Sequence, residues 1–144
     1  MSTEDNKAIV RRYFEGDRDG RDNVAIWDEI CHPDMVLYAT IVPEPIRGLE
    51  PIKQFTSAAH SAFSDFGITV EDLVAEDNKV VARWTMRGNH TAPLAMPSGT
   101  VPPTGNQVTV SGISVCELQD GWIVQEIVEG DWLGMLQQLG IVPS

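Results

Sequence analysis

Two side chains in the second half of the chain have the type and surroundings to move protons. Asp131 stands where a strand-like run, Trp122 to Glu129, passes into a helical one, with bulky apolar neighbours on both sides. A carboxyl held away from water has its pKa raised toward neutrality, and it can then take a proton from an acidic carbon and return one to an oxygen. The same position suits a helix N-cap, whose carboxylate accepts a backbone N–H and is favoured in its ionised form by the helix dipole. His90 shares strand parity with Trp84 and Met86, so the three face one side of a sheet. An imidazole there orients a carbonyl or acts as a second acid/base group. The plainer reading is a strand-end histidine bonded to a loop.

Around these two, Tyr13, Trp27, Tyr38, Phe55 and Phe63 offer aromatic surface for a flat ligand, and Tyr38 is the best placed of them to donate a hydrogen bond. Ile127 and Trp132 supply apolar surroundings for Asp131. Arg83, Thr85 and Arg87 have the opposite parity to His90 and are expected to face solvent or a subunit interface. His32 and His60 read as structural. There is no His-Glu-x-x-His, no Gly-rich phosphate loop and no Gly-x-Ser-x-Gly elbow, and an epoxide-hydrolase Arg-x-Asp pair is missing because Arg83-Trp84-Thr85 lacks the acid.

The elements that position these residues follow from periodicity. Ser2 or Thr3 with Glu4 and Asp5 starts a helix in which Ile9 and Tyr13, and Val10 and Phe14, share a side. A short helix from Asp22 or Asn23 turns Val24, Trp27 and Ile30 inward. Met35 to Ala39 is a strand and Pro43 to Gly48 a loop. Pro51 opens the longest helix, with Ile52, Phe55, Ala59 and Phe63 at helical spacing. The period then changes to two, and strands are expected over Phe66 to Val74, Val80 to His90, Val108 to Glu117 and Trp122 to Glu129. The Pro-rich segment Thr91 to Gln107 is a pocket rim or an inert crossover. A last helix from Asp131 buries Leu133, Met135, Leu136 and Leu139 and ends at Gly140. This order implies an α+β fold, an antiparallel sheet curled around helices on one face.

Composition bounds the function. A chain of 144 residues fits one domain, residues 1–144, large enough to hold an internal pocket. The net charge of −11, from 21 acidic and 10 basic residues, disfavours nucleic acid and anionic membrane surfaces as partners, since both need clustered cations. A polar, acidic start and the lack of a long apolar run point to a cytoplasmic location. Cys31 and Cys116 make neither a disulfide framework nor a metal-ligand pattern and read as small buried hydrophobes.

Several runs together resemble the SnoaL-like polyketide cyclases of the nuclear transport factor 2-like superfamily, whose fold is a cone-shaped α+β (cystatin-like) architecture. They are Arg12-Tyr13-Phe14, His32-Pro33-Asp34, Ile46-Arg47-Gly48-Leu49-Glu50, the strand Val80 to Thr91, Pro103-Thr104-Gly105, and Asp131-Trp132-Leu133-Gly134-Met135-Leu136-Gln137-Gln138-Leu139-Gly140. The resemblance implies intramolecular aldol ring closure of a polyketide ester, with no metal or organic cofactor, Asp131 as general acid/base, and a homo-oligomer, dimer or tetramer. The partner is then a hydrophobic small molecule. Tyr38 stands where such proteins often have His and Ile127 where many have Trp, so both are expected on the pocket wall. Three alternatives remain open: a non-catalytic receptor for an apolar small molecule, a ketosteroid-isomerase-like enzyme with Tyr38 or Tyr13 as oxyanion donor, and a bare oligomerising scaffold.

Overall fold

The first helix begins as its residues dictate. In a computed structural model, which describes residues 2–17 and 23–143, Ser2 Oγ accepts the Asp5 N–H at 3.0 Å and the Asp5 carboxylate accepts the Ser2 N–H at 3.2 Å. This capping box opens α1 (Thr3–Glu15), which buries Val10, Tyr13 and Phe14 and stops at Gly16 with φ 73°. A 3-10 turn over Asn23–Ile26 leads into α2 (Trp27–Ile30), with Val24, Trp27 and Ile30 inward as expected. Asp22, the other start expected for this helix, lies outside the described residues.

Strand β1 (Cys31–Ala39) begins four residues earlier than periodicity indicates, and a register shift between Cys31 and Val36 absorbs Pro33. The loop after it contains a two-residue strand β2 (Ile46–Arg47). Helix α3 (Leu49–His60) buries Leu49 and Ile52. Phe63, expected on this helix, instead opens β3 (Phe63–Glu76), because the helix closes at Ser61 and Phe63 pairs with His90. Strands β4 (Lys79–His90), β7 (Gln107–Gln119) and β8 (Trp122–Gly130) lie close to their expected bounds. Between β4 and β7 the Pro-rich segment forms its own small hairpin, β5 (Leu94–Met96) with β6 (Gly99–Val101).

The main sheet has the order β2-β1-β8-β7-β4-β3. Neighbours are antiparallel except for β1, which lies parallel to β8. Register shifts at Ser64/Gly67, Val70/Asp72 and Glu117/Leu118 bend the long strands so that one face wraps the helices. The third shift has the larger consequence. Leu118 pairs with Ile123 but Glu117 pairs with Gln125, so Val124 is an extra residue in β8. The alternation of β8 therefore slips, and both Ile123 and Glu126 point to the buried side.

Helix α4 (Trp132–Gln138) closes the fold and buries Met135, with Leu139 beyond its end. Leu133, expected inward, is 61% exposed. Two residues correspond to about 200° of helical rotation, so Leu133 and Met135 cannot share a face in so short a helix.

Gly112 is fixed by a close approach. It pairs with Trp84 across β4 and β7, and a Cβ at this position would enter the Trp84 ring, which is 5% exposed and anchored by its Nε1–H to Ser114 Oγ at 3.0 Å. Gly112→Ala is expected to destabilise the chain by about 1–3 kcal/mol through this overpacking. An unchanged denaturant midpoint would show that the indole is free to move.

Candidate functional site

Helices and sheet leave an open-mouthed cavity of about 620 Å³ between them, within the range of small-molecule sites. Tyr13 and Phe14 of α1 form part of its wall, and Trp27 of α2 stacks on Tyr13 with centroids 4.4 Å apart. The Trp27 Nε1–H donates to the Tyr13 backbone carbonyl at 3.0 Å, which fixes the indole. Phe55 and His60 come from α3, and Phe63 and Phe66 from β3; His60 stacks on Phe66 at 4.0 Å. The sheet contributes Trp84, Met86 and Val128, and α4 contributes Trp132 and Met135. The hairpin β5–β6 supplies Leu94, Ala95 and Met96, followed by Pro97, so the Pro-rich segment is a rim of the cavity. No lysine or arginine lines it among the described residues.

Among the described residues, one carboxyl lies on this wall. Glu126 is 5% exposed; its Oε1 accepts the Tyr13 hydroxyl at 2.5 Å and its Oε2 accepts Ser114 Oγ–H at 2.7 Å, while Ser114 Oγ accepts the Trp84 indole N–H. Burial raises the Glu126 pKa above the ordinary 4.5, and the two hydroxyl donors pull it the other way without overcoming the loss of water. The same burial, with the Glu126 charge second, pushes the Tyr13 phenol and the Cys31 and Cys116 thiols up, so all three stay neutral and the cysteines are small hydrophobes, not nucleophiles. Glu126, with Tyr13, is the titratable pair that the cavity and the hydrogen bonds bring together.

The residues singled out by sequence divide clearly. Tyr13, Trp27, Phe55, Phe63, Trp84, Met86 and Trp132 line the cavity. His60, read as structural, does so too. Tyr38 and Ile127 do not: they are 37% and 41% exposed on the outer side of the sheet. On β1 the inward set is Met35, Leu37 and Ala39, so Tyr38 points away. On β8 the extra Val124 turns Glu126 and Val128 in and Ile127 out.

His90 faces the same side as Trp84 and Met86, as its parity indicates, and is fully buried, but it sits beyond the cavity wall, packed against Phe63 at 5.6 Å. Its Nδ1 accepts the Thr104 N–H at 3.2 Å and lies 3.0 Å from Thr104 Oγ1. That acceptor role leaves the neutral ring's proton on Nε2, which has no hydrogen-bond partner among the described residues. Backbone bonds from Gly105 N–H to the His90 carbonyl and from His90 N–H to the Asn106 carbonyl complete a clamp on the base of the rim loop.

Asp131 is exposed and lies off the cavity wall. Its Oδ1 accepts the Gly134 N–H at 2.9 Å, so the side chain is folded onto the first turn of α4 as an N-cap. The expected desolvation of this acid is not met in this arrangement; the adjacent Trp132 reaches the cavity instead.

Fold and cavity together define a nuclear transport factor 2-like protein with an apolar, open-mouthed pocket. The sequence profile of the SnoaL-like polyketide cyclases matches residues 7–139, and the chain belongs to that family. Among solved structures, it is similar to a SnoaL-like protein from Jannaschia sp. CCS1, with 22% identity and a TM-score of 0.84 over 98% of this chain and 95% of that one. TsrD from Streptomyces laurentii shares 25% identity with a TM-score of 0.81 over 99% of each chain. IdmH, a proposed polyketide cyclase from Streptomyces antibioticus, shares 27% with a TM-score of 0.68 over 97% of this chain and 99% of that one. No curated protein matches the sequence significantly. No described helix is long and apolar enough to cross a membrane.

Two outcomes test the carboxyl's environment. Between pH 4.5 and the higher pKa of folded Glu126, the native chain holds a proton that the unfolded chain has released, so this group's contribution to stability falls as pH rises through that window. Urea unfolding across pH is expected to show this loss in the parent and its absence in Glu126→Gln; equal slopes would mean that the carboxyl is hydrated. Tyr13→Phe, which removes one donor, is expected to cost about 1–3 kcal/mol.

Proposed function

We propose that the protein is a cofactor-independent acid/base enzyme that closes a ring in a hydrophobic polyketide-like ester, with Glu126 as the proton carrier. The observation that carries this reading is a desolvated carboxyl, hydrogen-bonded to a phenol, on the wall of a large apolar cavity. In its ionised form Glu126 takes a proton from a carbon flanked by two carbonyls. The resulting enolate carbon attacks a ketone carbon of the same molecule, one C–C bond forms, and the new alkoxide takes the proton back from Glu126. A base whose pKa lies nearer neutrality is better matched to such a transfer than an ordinary carboxylate.

Tyr13 holds the carboxylate by its hydroxyl, and when Glu126 carries the proton that hydroxyl is released to stabilise enolate oxygen. Trp27, Trp84, Phe63 and Trp132 hold the substrate, and among the described residues no lysine or arginine lines the wall, which favours an ester over a free acid, whose charge would face Glu126. Asp131 acts as the helix cap.

The decisive comparison is Glu126→Gln beside Asp131→Asn, assayed with a β-polyketone methyl ester by product formation and by quenching of the cavity tryptophans. Glu126→Gln is expected to lower turnover about 10²–10⁴-fold while quenching stays within about threefold; Asp131→Asn is expected to keep turnover. Loss confined to Asp131→Asn would return proton transfer to the capping acid. Tight quenching without product in the parent would make the protein a receptor, and double-bond migration without ring closure would make it an isomerase.

A further inference from the structure

Several hydrogen-bond donors on the cavity wall are committed to the protein itself. Trp27 gives its indole N–H to the Tyr13 carbonyl, Trp84 to Ser114 Oγ and Trp132 to Thr40 Oγ1 at 3.1 Å; the Tyr13 hydroxyl goes to Glu126, and the Asn23 amide reaches the Tyr13 carbonyl at 3.2 Å. A carbonyl compound that enters the cavity still needs its oxygens met once water is excluded. Helix α3 brings two further polar residues to the wall, Thr56 and His60, four apart and so on one helix face. An imidazole has two ring nitrogens, so a contact within the protein at one leaves the other for a ligand. The His60 ring lies on Phe66 of β3 with centroids 4.0 Å apart and planes 28° from parallel. This stack sets the plane of the ring, and with it the direction of the nitrogens on its edge.

The two polar places differ in depth. Glu126 is 5% exposed, whereas His60 is half-buried. Ala58 on the same turn of α3, and Ala95 and Pro97 of the rim that packs on this helix, line the cavity and are exposed. His60 therefore stands at the mouth and Glu126 at the floor. We infer that His60 selects the ester end of the substrate: its ring N–H donates to the ester carbonyl at the mouth, while the rest of the chain runs inward past Phe63 and Trp84 to Glu126. This assignment rests on the ring closure proposed above, whose substrate it orients. Seating the terminal ester at the hydrated mouth leaves the rest of the chain among the aromatic walls, with an acidic methylene at the carboxylate. With the chain reversed, the ester carbonyl would meet Glu126, whose two hydroxyl donors are already taken, and the apolar end would be left in water.

Quenching of the cavity tryptophans in the Glu126→Gln chain reads binding without turnover. Two probes are compared: a β-polyketone methyl ester and the methyl ether in which the ester carbonyl is replaced by a methylene. His60→Phe keeps a ring to stack on Phe66 but has no N–H, and is expected to lower the ester-over-ether affinity ratio about tenfold. His60→Leu gives the same reading if the phenylalanine disturbs the fold. His60→Gln keeps a donor and is expected to hold the ratio within about threefold of the parent's. With Glu126 intact, His60→Phe is expected to raise KM for the ester about tenfold and to leave kcat within about threefold. A ratio that His60→Phe and His60→Leu leave unchanged, a His60→Gln ratio as low as theirs, or failure of both probes to quench overturns the proposal. The expected ratios without any product from the parent would instead overturn ring closure and leave ester recognition by His60 standing.

Discussion

A carboxyl removed from water must be met by donors, and in this protein that requirement joins the first helix to the last strand. Tyr13 on α1 and Ser114 on β7 each donate a hydroxyl hydrogen bond to Glu126 on β8, and Trp84 on β4 supports Ser114 from the other side. Replacing any donor leaves a buried oxygen short of a partner, at a cost comparable to a large share of a small protein's net stability. The same contacts that satisfy the acid set the positions of Tyr13 and Trp84 on the cavity wall. Gly112 belongs to this arrangement, since only a residue without a side chain lets the Trp84 ring lie flat enough to reach Ser114.

The inward and outward faces of the sheet are separate designs laid on the same strands. Inward residues of β4, β7 and β8 alternate strictly with outward ones apart from the single extra residue at Val124, so a substitution on one face leaves the other largely untouched. The rim is built differently. Its hairpin is tied down by the buried His90 and by backbone bonds to Gly105 and Asn106, which makes the histidine a support for the loop that carries Leu94 and Met96 to the cavity.

Most of the fold is legible in the sequence because period and punctuation agree with it. The long strands, the capping box at Ser2 and the end of α4 at Gly140 follow from alternation, side-chain capping and turn chemistry. The site is legible only in part. Seven apolar wall residues could be found from their spacing, but the acid among them could not, since alternation counted from buried Ile123 assigns Glu126 to the solvent side. The bulge that reverses this assignment depends on pairing between β7 and β8, which no local pattern records. Asp131 drew attention through its neighbours, yet a carboxylate immediately before a helix has a backbone N–H within reach, and capping holds it at the surface. Phe63 belongs to β3 and not to the helix for a related reason: an apolar residue at i+4 fits a helix face and the first position of a strand equally well.

Glu126 is a desolvated acid on the cavity wall, and its own titration puts that to the test. Carbon-13 NMR of glutamate side-chain carboxyls, with Glu126→Gln used for assignment, would follow this one group through pH. A midpoint above 4.5 is expected, displaced further upward in Tyr13→Phe. A midpoint at or below 4.5 would contradict it.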